Sequence, residues 1–435
     1  MIRDYSRDDV MAVLERVVLP GGPAPPGTPD EKLQFLANLL TIQTDSARGT
    51  AGLDWCLDML HHLRRLFILA PPDAPGLSFI GAELIEKVSE TDLCVTGVDL
   101  NPSDALSAAC GEISELRAIF CARKTPPAVL SSTRTDSCNG LAARLHNASR
   151  DVLTIEGLCV GASGSASIPA ALCFGREAVP GGGEPLVPRS EGCGAGKSRS
   201  EAARHGLFEL IERDAAALWW YGGRQARHLR FDASGQAKFD RFRNRARRGK
   251  TGRCEVLLDI TSDLSVPAVA AVSFGPEGRD YACGTAARHS YGAAARAAYR
   301  EMCQMELSHH IRRAKREQAG EGALSVRERE EAAQVAAIDG RRQPLFWPEA
   351  KTNPLHYDNH SPRQESLEGL QERLGQVGIE LYEVDLSRHE EQVAVVKVIS
   401  PQLQPATPDV ETERLAGVRM ATGGTEAFTK GLRLI

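Results

Sequence analysis

The pattern of apolar and polar residues predicts helices near the start of the chain, after a stretch that breaks regular structure. Residues 20–29 (PGGPAPPGTP) combine proline, which removes backbone donors, with glycine, and therefore indicate a linker. The segments DEKLQFLANLL and GLDWCLDMLHHLRRL carry apolar residues at helical spacing as far as about Leu66. We predict a small helical N-terminal region over residues 1–78, which offers a docking place for a partner protein.

Short β-branched segments are interleaved with helical ones along the rest of the chain, residues 79–435. They are SIPAALCF, EVLLDI, VPAVAAVSF, IELYEVDL and VAVVKVIS. The helical pattern SLEGLQERLGQVG has Gly375 and Gly378 placed to end it. A stretch from His309 with both charge signs interspersed favours a solvated helical insertion. The fold class predicted is α/β, in the sense of a mixed α+β chain.

Three of the predicted helices share a spacing of acidic residues. Each contains a Glu followed three positions later by Glu or Gln, and in the first two another acid stands eight positions before that pair. The positions are Asp104, Glu112 and Glu115 in the first helix, Glu201, Glu209 and Glu212 in the second, and Glu301 and Gln304 in the third. Asn101 before Pro102, and Ser198 three residues before Glu201, are N-terminal helix signals.

These acids have two readings. On a helix they share one edge while the aliphatic residues share another, as on the wet face of any amphipathic helix. However, like charges at this spacing repel unless a cation offsets them. The surroundings are also poor in lysine and rich in alanine and glycine, so the helices could approach closely. Converging carboxylates suggest Mg²⁺, which usually bridges carboxylates to nucleotide phosphates.

The segment RSEGCGAGKS, just before the second helix, resembles a phosphate-binding P-loop without meeting its spacing. Glu191 stands where the first glycine of a P-loop belongs. Gly192, Gly194 and Gly196 nevertheless predict a turn whose backbone N–H groups lie beside a helix N-terminus and attract anions. A purely structural turn is the alternative.

Composition narrows the choice of partner and compartment. The 435 residues are 42% hydrophobic and 25% charged, typical of a globular protein, and the formal net charge of −5 gives no general attraction to nucleic acid or anionic lipid. The 11 cysteines include no Cys-x-x-Cys pair, which argues against a zinc cluster or disulfide framework. The first residues, MIRDYSRDDV, have acids where a signal peptide needs an apolar stretch, and no run of about 18 apolar residues appears, so we expect neither a signal peptide nor a membrane span. We expect a cytoplasmic protein that binds neither nucleic acid nor membrane.

With these motifs in order, the chain resembles the YcaO family. SEGCGAGKSRSEAARHGLFELIERDAAALWW is similar to the family's central signature, and GEISELR and AAYREMCQMEL resemble its first and third acidic helices. AVVKVISPQLQP is similar to a late strand of peptide-modifying members. The resemblance covers about residues 79–405 and implies a YcaO-like fold, in which the three acidic helices converge on a nucleotide site.

The resemblance implies ATP- and Mg²⁺-dependent activation of a backbone amide in a ribosomal precursor peptide, as in bacteriocin maturation. In azoline-forming members a Cys, Ser or Thr side chain attacks the preceding carbonyl, and the oxyanion is phosphorylated and leaves as phosphate. The implied metal ligands are Glu112, Glu115, Glu209, Glu212 and Glu301. Those around the nucleotide are Glu201, Gln304, Lys197, Gly194 and Gly196. The implied catalytic residues are Glu209, Glu212 and Arg213, the last as a phosphate contact.

Departures from the family pattern leave the chemistry open. Azoline-forming members commonly end in a proline-rich segment, whereas this chain ends EAFTKGLRLI. Leu116 stands where the family usually has Arg, and Lys197 where Asn is common. Thioamide formation with a TfuA-type partner is therefore an alternative to cyclodehydration with a leader-binding ThiF-like partner. A non-catalytic scaffold that binds the precursor is a further alternative. The sequence also leaves open whether the protein forms a homodimer.

Other chemistry-bearing residues receive simpler readings. His205 falls on the acidic face, where it could orient a phosphate, but packing is the simpler reading. Cys110 and Cys193 have no assignable His or Asn partner and are interpreted as small buried residues. The basic run RFRNRARRGK, residues 241–250, is interpreted as a solvated helix or a surface for an acidic precursor rather than an RNA contact.

Overall fold

A computed structural model describes most of the chain from residue 62 onwards, together with two helical residues, Cys56 and Met59. The described ranges are 62–69, 71–88, 91–121, 129–132, 152–161, 164–175, 190–250, 252–349, 354–357 and 366–429. The predicted linker at residues 20–29, the predicted helix that precedes residue 56 and the last six residues of the chain lie outside the described residues.

The described residues form short strands and longer helices. The strands are β1 (Leu63–Leu69), β2 (Ser78–Val88), β3 (Thr91–Asp99), β4 (Val129–Ser132), β5 (Val152–Cys159), β6 (Ser165–Pro169), β7 (Cys193–Gly196), β8 (Arg227–His228), β9 (Cys254–Asp259), β10 (Ala268–Phe274), β11 (Ala282–Ala287), β12 (Tyr382–Asp385) and β13 (Ala394–Ile399). The helices are α1 (Pro102–Phe120), α2 (Arg199–Trp220), α3 (Ala233–Arg247), α4 (Tyr291–Ala319), α5 (Val326–Ala337), α6 (Leu367–Gln376), α7 (Glu413–Thr422) and α8 (Glu426–Thr429).

The strands make three antiparallel sheets. The first has the order β1-β2-β3 and packs against α1. The second has the order β11-β10-β9-β8 and packs against α4. The third has the order β4-β5-β12-β13-β7, with β6 also paired to β5. The mixed α+β class predicted from the strand and helix patterns is confirmed.

Helix α2 lies at the centre of the fold, between the second and third sheets. It packs against β7 and β13 on one side and against β10 and β11 on the other. Its C-terminal end is buried in the main core, where Trp219 and Trp220 are among the largest fully buried side chains. Helix α1 packs on β2 and β3 and also touches β7, which brings the first acidic helix beside the second.

The two acidic helices α1 and α2 belong to strand–helix units with the same internal contacts. A side chain at Gly97 of β3 would collide with the carbonyl oxygen of Ala105, and one at Gly194 of β7 would collide with that of Ala202. The interval from glycine to carbonyl is eight residues in both units. The repeat seen in the acid spacing is therefore a repeat of packing, because the missing side chains let each strand lie close to its helix.

Several sequence predictions are confirmed and two are wrong. EVLLDI, VPAVAAVSF, IELYEVDL and VAVVKVIS form β9, β10, β12 and β13, and the charged stretch after His309 forms the exposed end of α4 and helix α5. Residues 63–66 are strand rather than helix, because β1 pairs with β2. Residues 193–196 form β7 rather than a turn, because they pair with β13.

The remaining predictions have mixed outcomes. SIPAALCF is strand only to Pro169 and then turns through a single 3-10 turn. Gly378 follows α6 with φ +82°, as expected for a helix end, whereas Gly375 lies inside the helix. The division of the chain at residue 78 stays a prediction, although β1 and β2 on its two sides share a sheet. Among the described helices, none has the length and apolar character needed to cross a membrane.

Candidate active site

An open cleft of about 430 Å³ lies where α1, α2 and α4 meet. Seven of the site residues predicted from the sequence line it: Glu112, Glu115, Glu209, Glu212, Arg213, Glu301 and Gln304. The three predicted acidic helices thus contribute to a single cavity. Since α1, α2 and α4 are separated by long stretches of chain, the tertiary fold alone brings these side chains together.

Backbone N–H groups of three strands hold the carboxylates in place. The N–H of Thr96 donates to Glu112 Oε2 at 3.1 Å, and the N–H of Ala195 donates to Glu115 Oε1 at 2.9 Å. In the third unit, the N–H of Thr285 donates to Glu301 Oε2 at 2.7 Å. These bonds fix the orientation of the three carboxyl groups.

Helix α2 supplies two carboxylates that share an arginine. Arg213 lies 3.3 Å from Glu209 Oε1 and 3.6 Å from Glu212 Oε1. The N–H of Gly192 also donates to Glu209 at 3.1 Å, and the hydroxyl of Thr285 donates to Glu212 at 2.9 Å. Gly192 has φ +73°, a conformation that favours glycine, and this directs its N–H to the helix.

Four of the five carboxyl groups have pKa values raised by burial: Glu112, Glu115, Glu212 and Glu301. The pKa is about 7 for Glu112 and for Glu212. The negative charge of Glu209 adds to the rise at Glu112, whereas Arg213 opposes the rise at Glu212. Burial alone would lower the pKa of Arg213, but the surrounding carboxylates raise it. Burial therefore favours the neutral form of these four carboxyl groups when no cation is bound.

The donor set fits a hard divalent cation that shares its coordination with phosphates. Among the described residues, the second oxygens of Glu112, Glu115 and Glu301 accept no hydrogen bond. Within the same described part of the chain, no three His, Cys, Asp or Glu side chains form a group that could hold an ion alone. Mg²⁺ does not require such a group, because it usually keeps several waters and is held by one or two carboxylates and substrate phosphates.

Four predicted nucleotide-site residues do not line the cleft: Lys197, Glu201, Gly194 and Gly196. Glu201 accepts a hydrogen bond from the N–H of Lys197 at 3.0 Å, and Ser198 caps α2 by accepting one from the N–H of Glu201. Gly194 and Gly196 lie in β7 against α2, where a side chain would collide with that helix. Helix capping and strand–helix packing account for these positions, and their contact with a nucleotide stays a prediction.

Sequence reasoning missed the strand residue and the two arginines that complete the cleft. Thr285 donates hydrogen bonds to two of the carboxylates, through its N–H to Glu301 and through its hydroxyl to Glu212. Arg288, 3.9 Å from Glu212, and Arg300, which pairs with Asp99, also line the cleft. Arg300 directly precedes Glu301 in the sequence, and this position next to the Glu301–Gln304 pair could have indicated that Arg300 belongs to the site.

The interpretation of the two cysteines as small buried residues agrees with the structure, whereas His205, interpreted as a packing residue, is exposed in the cleft. Cys110 and Cys193 are buried, and their thiol pKa values are raised, at Cys193 chiefly by burial and at Cys110 first by a hydrogen bond with Cys56. A raised pKa disfavours the nucleophilic thiolate. His205 lines the cleft with its Nδ1 2.8 Å from the carbonyl oxygen of Ala195, a bond that fixes the ring against β7.

A comparison with protein families identifies the fold that builds this cleft. A family model described as YcaO cyclodehydratase, ATP- and Mg²⁺-binding, matches residues 143–404, more than half of the chain. The chain belongs to the YcaO family. The resemblance read from the three motifs is confirmed, and with it ATP and Mg²⁺ as the nucleotide and ion that this YcaO domain binds. The matched residues include all of β7 and α2, whereas α1 precedes them.

Solved structures share the fold of this YcaO protein. A heterocyclase in complex with substrate and cofactor is 19% identical with a TM-score of 0.65, over 83% of this chain and 52% of that chain. YcaO from Methanopyrus kandleri, bound with AMPPCP and Mg²⁺, is 20% identical with a TM-score of 0.57, over 87% and 91%. The E. coli microcin synthetase McbBCD complex is 14% identical with a TM-score of 0.56, over 81% and 95%. The YcaO-like fold is confirmed.

One relative found by sequence comparison is encoded in the 3′ region of tfuA. An uncharacterized protein in the tfuA 3′ region of Rhizobium leguminosarum bv. trifolii is 40% identical over 86 residues. Those residues are 19% of this chain and 20% of the relative. This YcaO protein thus spans about half the length of the heterocyclase and matches one fifth of the Rhizobium protein.

Proposed function

We propose that this YcaO protein uses ATP and Mg²⁺ to activate a backbone amide of a ribosomal precursor peptide, and that it forms azolines from Cys, Ser or Thr. The observation that carries the proposal is the convergence of five glutamates from α1, α2 and α4 on one cleft. Phosphoryl transfer asks a protein chiefly for positioning and charge compensation, and the cleft offers both.

The glutamates and arginines of the cleft have complementary roles. Glu112, Glu115, Glu209, Glu212 and Glu301 would hold Mg²⁺, which when bound neutralises negative charge on the nucleotide phosphates. Arg213 keeps Glu209 and Glu212 side by side and offers its remaining donors to a phosphate. Gln304, one turn after Glu301, contributes a neutral donor and acceptor to the nucleotide site.

The proposed reaction has three steps. A thiol or hydroxyl of the precursor loses its proton and attacks the carbonyl carbon of the preceding amide, whose π electrons move to the oxygen. That oxygen takes the γ-phosphoryl group of ATP, the second substrate, and ADP leaves. Cleavage of the C–O bond then expels phosphate as the amide nitrogen loses its proton, and the azoline ring remains. A leader-binding ThiF-like partner would deliver the precursor, and the E. coli microcin synthetase McbBCD, which shares the fold, is itself a complex.

Thioamide formation is the second candidate, favoured by the relative encoded in a tfuA 3′ region. In that reaction an external sulfide replaces the side-chain nucleophile, and a TfuA-type protein is the expected partner. The cleft serves both reactions equally, because both begin with activation of the amide oxygen.

Two measurements with a purified precursor separate the candidates. Phosphate release that depends on the peptide identifies an enzyme, whereas a non-catalytic scaffold releases none. Loss of about 18 Da from the peptide marks an azoline, and gain of about 16 Da marks a thioamide, because the nucleophile differs. Peptide-independent ATP hydrolysis with an unchanged peptide mass would contradict the proposal.

A further inference from the structure

A second cavity, also of about 430 Å³, lies between the C-terminal half of α4 and helix α5, outside the candidate active site. We call it the basic pocket. The charged residues that line it are Asp280, His309, Arg312, Arg313, Arg316, Glu321 and Arg329. Alanine side chains of α5 and Val335 form an apolar floor. Four arginines thus surround a cavity that also offers contact with aliphatic groups.

The pocket's outer arginines are held by carboxylates that are themselves exposed. Arg313 lies 3.2 Å from Asp280, and both side chains are about half exposed, at 51% and 52%. Arg316 lies 2.6 Å from Glu321, whose side chain is 66% exposed. Exposed ion pairs contribute little stability, so these carboxylates can be exchanged for those of a ligand.

Each guanidinium retains donors for such a ligand. A guanidinium has five N–H donors. The buried Arg312 donates to Glu331 at 2.7 Å, and Arg329 donates to the carbonyl oxygen of Leu324 at 2.6 Å. One or two partners for each arginine leave several N–H groups around the same cavity.

His309 provides an independent observation that points to ligand binding in the basic pocket. Among the described residues, neither of its ring nitrogens has a hydrogen-bond partner, although both are shielded from solvent. Burial, followed by the charges of Arg312 and Arg253, lowers its pKa to about 3, so the ring is neutral and presents one donor and one acceptor. Unpartnered buried polar atoms are costly, and an anionic ligand would satisfy the donor and offset the surrounding positive charge.

We propose that the basic pocket binds an acidic segment of the peptide substrate. This inference rests on the proposed function in one respect, that the substrate is a peptide. Helix α4 carries both sites, and the 12 residue steps from Gln304 to Arg316 span about 18 Å along the helix. Five or six extended residues cover that distance. An acidic segment in the pocket would therefore hold a residue a few positions away near the active-site cleft.

Peptide binding without ATP tests the pocket separately from catalysis. The probes are a fluorescein-labelled decapeptide of alternating Glu and Ala and the same peptide with every Glu replaced by Gln. The variant is the double substitution R313Q/R316Q in the full chain. The control is R341Q/R342Q, which removes the same charge at exposed arginines that do not line the pocket.

Fluorescence anisotropy at low salt should show the Glu peptide binding at least tenfold more tightly than the Gln peptide. R313Q/R316Q should weaken that binding about fivefold or more, whereas the control should stay within about twofold of wild type. Equal binding of the two peptides, or unchanged binding by R313Q/R316Q, would overturn the proposal. Displacement of the Glu peptide by orthophosphate beyond the effect of NaCl at equal ionic strength would assign the pocket to inorganic anions instead.

The outcome does not depend on turnover. If the wild-type protein binds the acidic peptide through the pocket but never releases phosphate with a precursor, then the proposed function fails while the pocket's specificity for carboxylates stands. If phosphate is released but the pocket variant binds the Glu peptide normally, then the pocket proposal fails while the proposed function stands.

Discussion

One or two neighbouring protein groups position each glutamate in the cleft. Glu209 accepts a hydrogen bond from the N–H of Gly192 and forms an ion pair with Arg213, while Glu212 accepts a hydrogen bond from the hydroxyl of Thr285. Both side chains of this pair therefore have fixed positions before any ligand arrives. Preorganised charge of this kind is effective in catalysis because little reorganisation is needed when the reaction occurs.

Replacing Glu209 with Gln should reduce peptide-dependent phosphate release about 100-fold or more, because the substitution removes a carboxylate at the point where the three helices meet. Tm should change by no more than about 2 °C, since the side chain is partly exposed and the amide oxygen can still accept from Gly192. E317Q, at an exposed acid on α4, is the control and should keep full activity. Wild-type rates in E209Q would remove this residue from the site.

Thr285 offers a subtler test, because its backbone and side chain act on different carboxylates. T285V keeps the N–H bond to Glu301 but removes the hydroxyl bond to Glu212. We expect phosphate release about tenfold slower, because the buried carboxylate of Glu212 loses its fixed orientation. T285S keeps a hydroxyl and should restore most of the rate. Equal rates in T285V and T285S would show that the hydroxyl has no part in positioning.

At the scale of elements, the close approach of β7 to α2 determines where the cleft lies. The strand supplies the Ala195 N–H to Glu115, and the turn before it supplies the Gly192 N–H to Glu209. Only a strand without side chains at Gly194 and Gly196 can lie so close to the helix. The glycines that resemble part of a P-loop therefore act through packing.

Replacing Gly194 with Ala should test this packing. The added Cβ would collide with the Ala202 carbonyl oxygen and the Gly206 nitrogen, so we expect a loss of about 1–3 kcal/mol in the free energy of unfolding. Gly375 of α6 is a matched control, because a Cβ there meets nothing within 4 Å. G375A should leave the free energy of unfolding unchanged or raise it by up to about 1 kcal/mol. Chemical denaturation measures the free energy of unfolding of both variants, and equal values for G194A and G375A would contradict the packing argument.

The elements also show which parts of the site were predictable. The acidic pairs were found because an i, i+3 spacing is local and survives in the sequence. The backbone donors that hold these acids were not predicted, because Thr96, Ala195 and Thr285 meet their partners only through strand–helix packing. Glu201 and Asp104 match in spacing, but the local capping role of Glu201 leaves it outside the cleft.

At the scale of the whole molecule, the fold buries carboxyl groups whose ionised form costs stability when no cation is bound. Glu112 and Glu212 have pKa values of about 7, above the ordinary 4.5, chiefly because they are buried. Between these values the two groups hold protons in the folded protein that they have released in the unfolded chain. Their contribution to stability therefore falls as pH rises through this window.

The metal-free protein should accordingly have a lower Tm at pH 8 than at pH 5.5. Mg²⁺ with an ATP analogue should raise Tm more at pH 8, where the carboxylates are ionised and free to bind it. E112Q removes one of the titrating groups and should flatten the pH dependence of the metal-free protein. A Tm that rises steadily from pH 5.5 to pH 8 in the metal-free wild type would contradict this charge balance.

A crystal structure grown with Mn²⁺ and a non-hydrolysable ATP analogue tests the central claim most directly, because Mn²⁺ gives an anomalous signal and prefers the same oxygen ligands as Mg²⁺. We predict anomalous peaks between the triphosphate and carboxylates drawn from α1, α2 and α4, with Glu209 among the ligands. A nucleotide bound elsewhere, with these glutamates contacting only water and protein, would contradict the account.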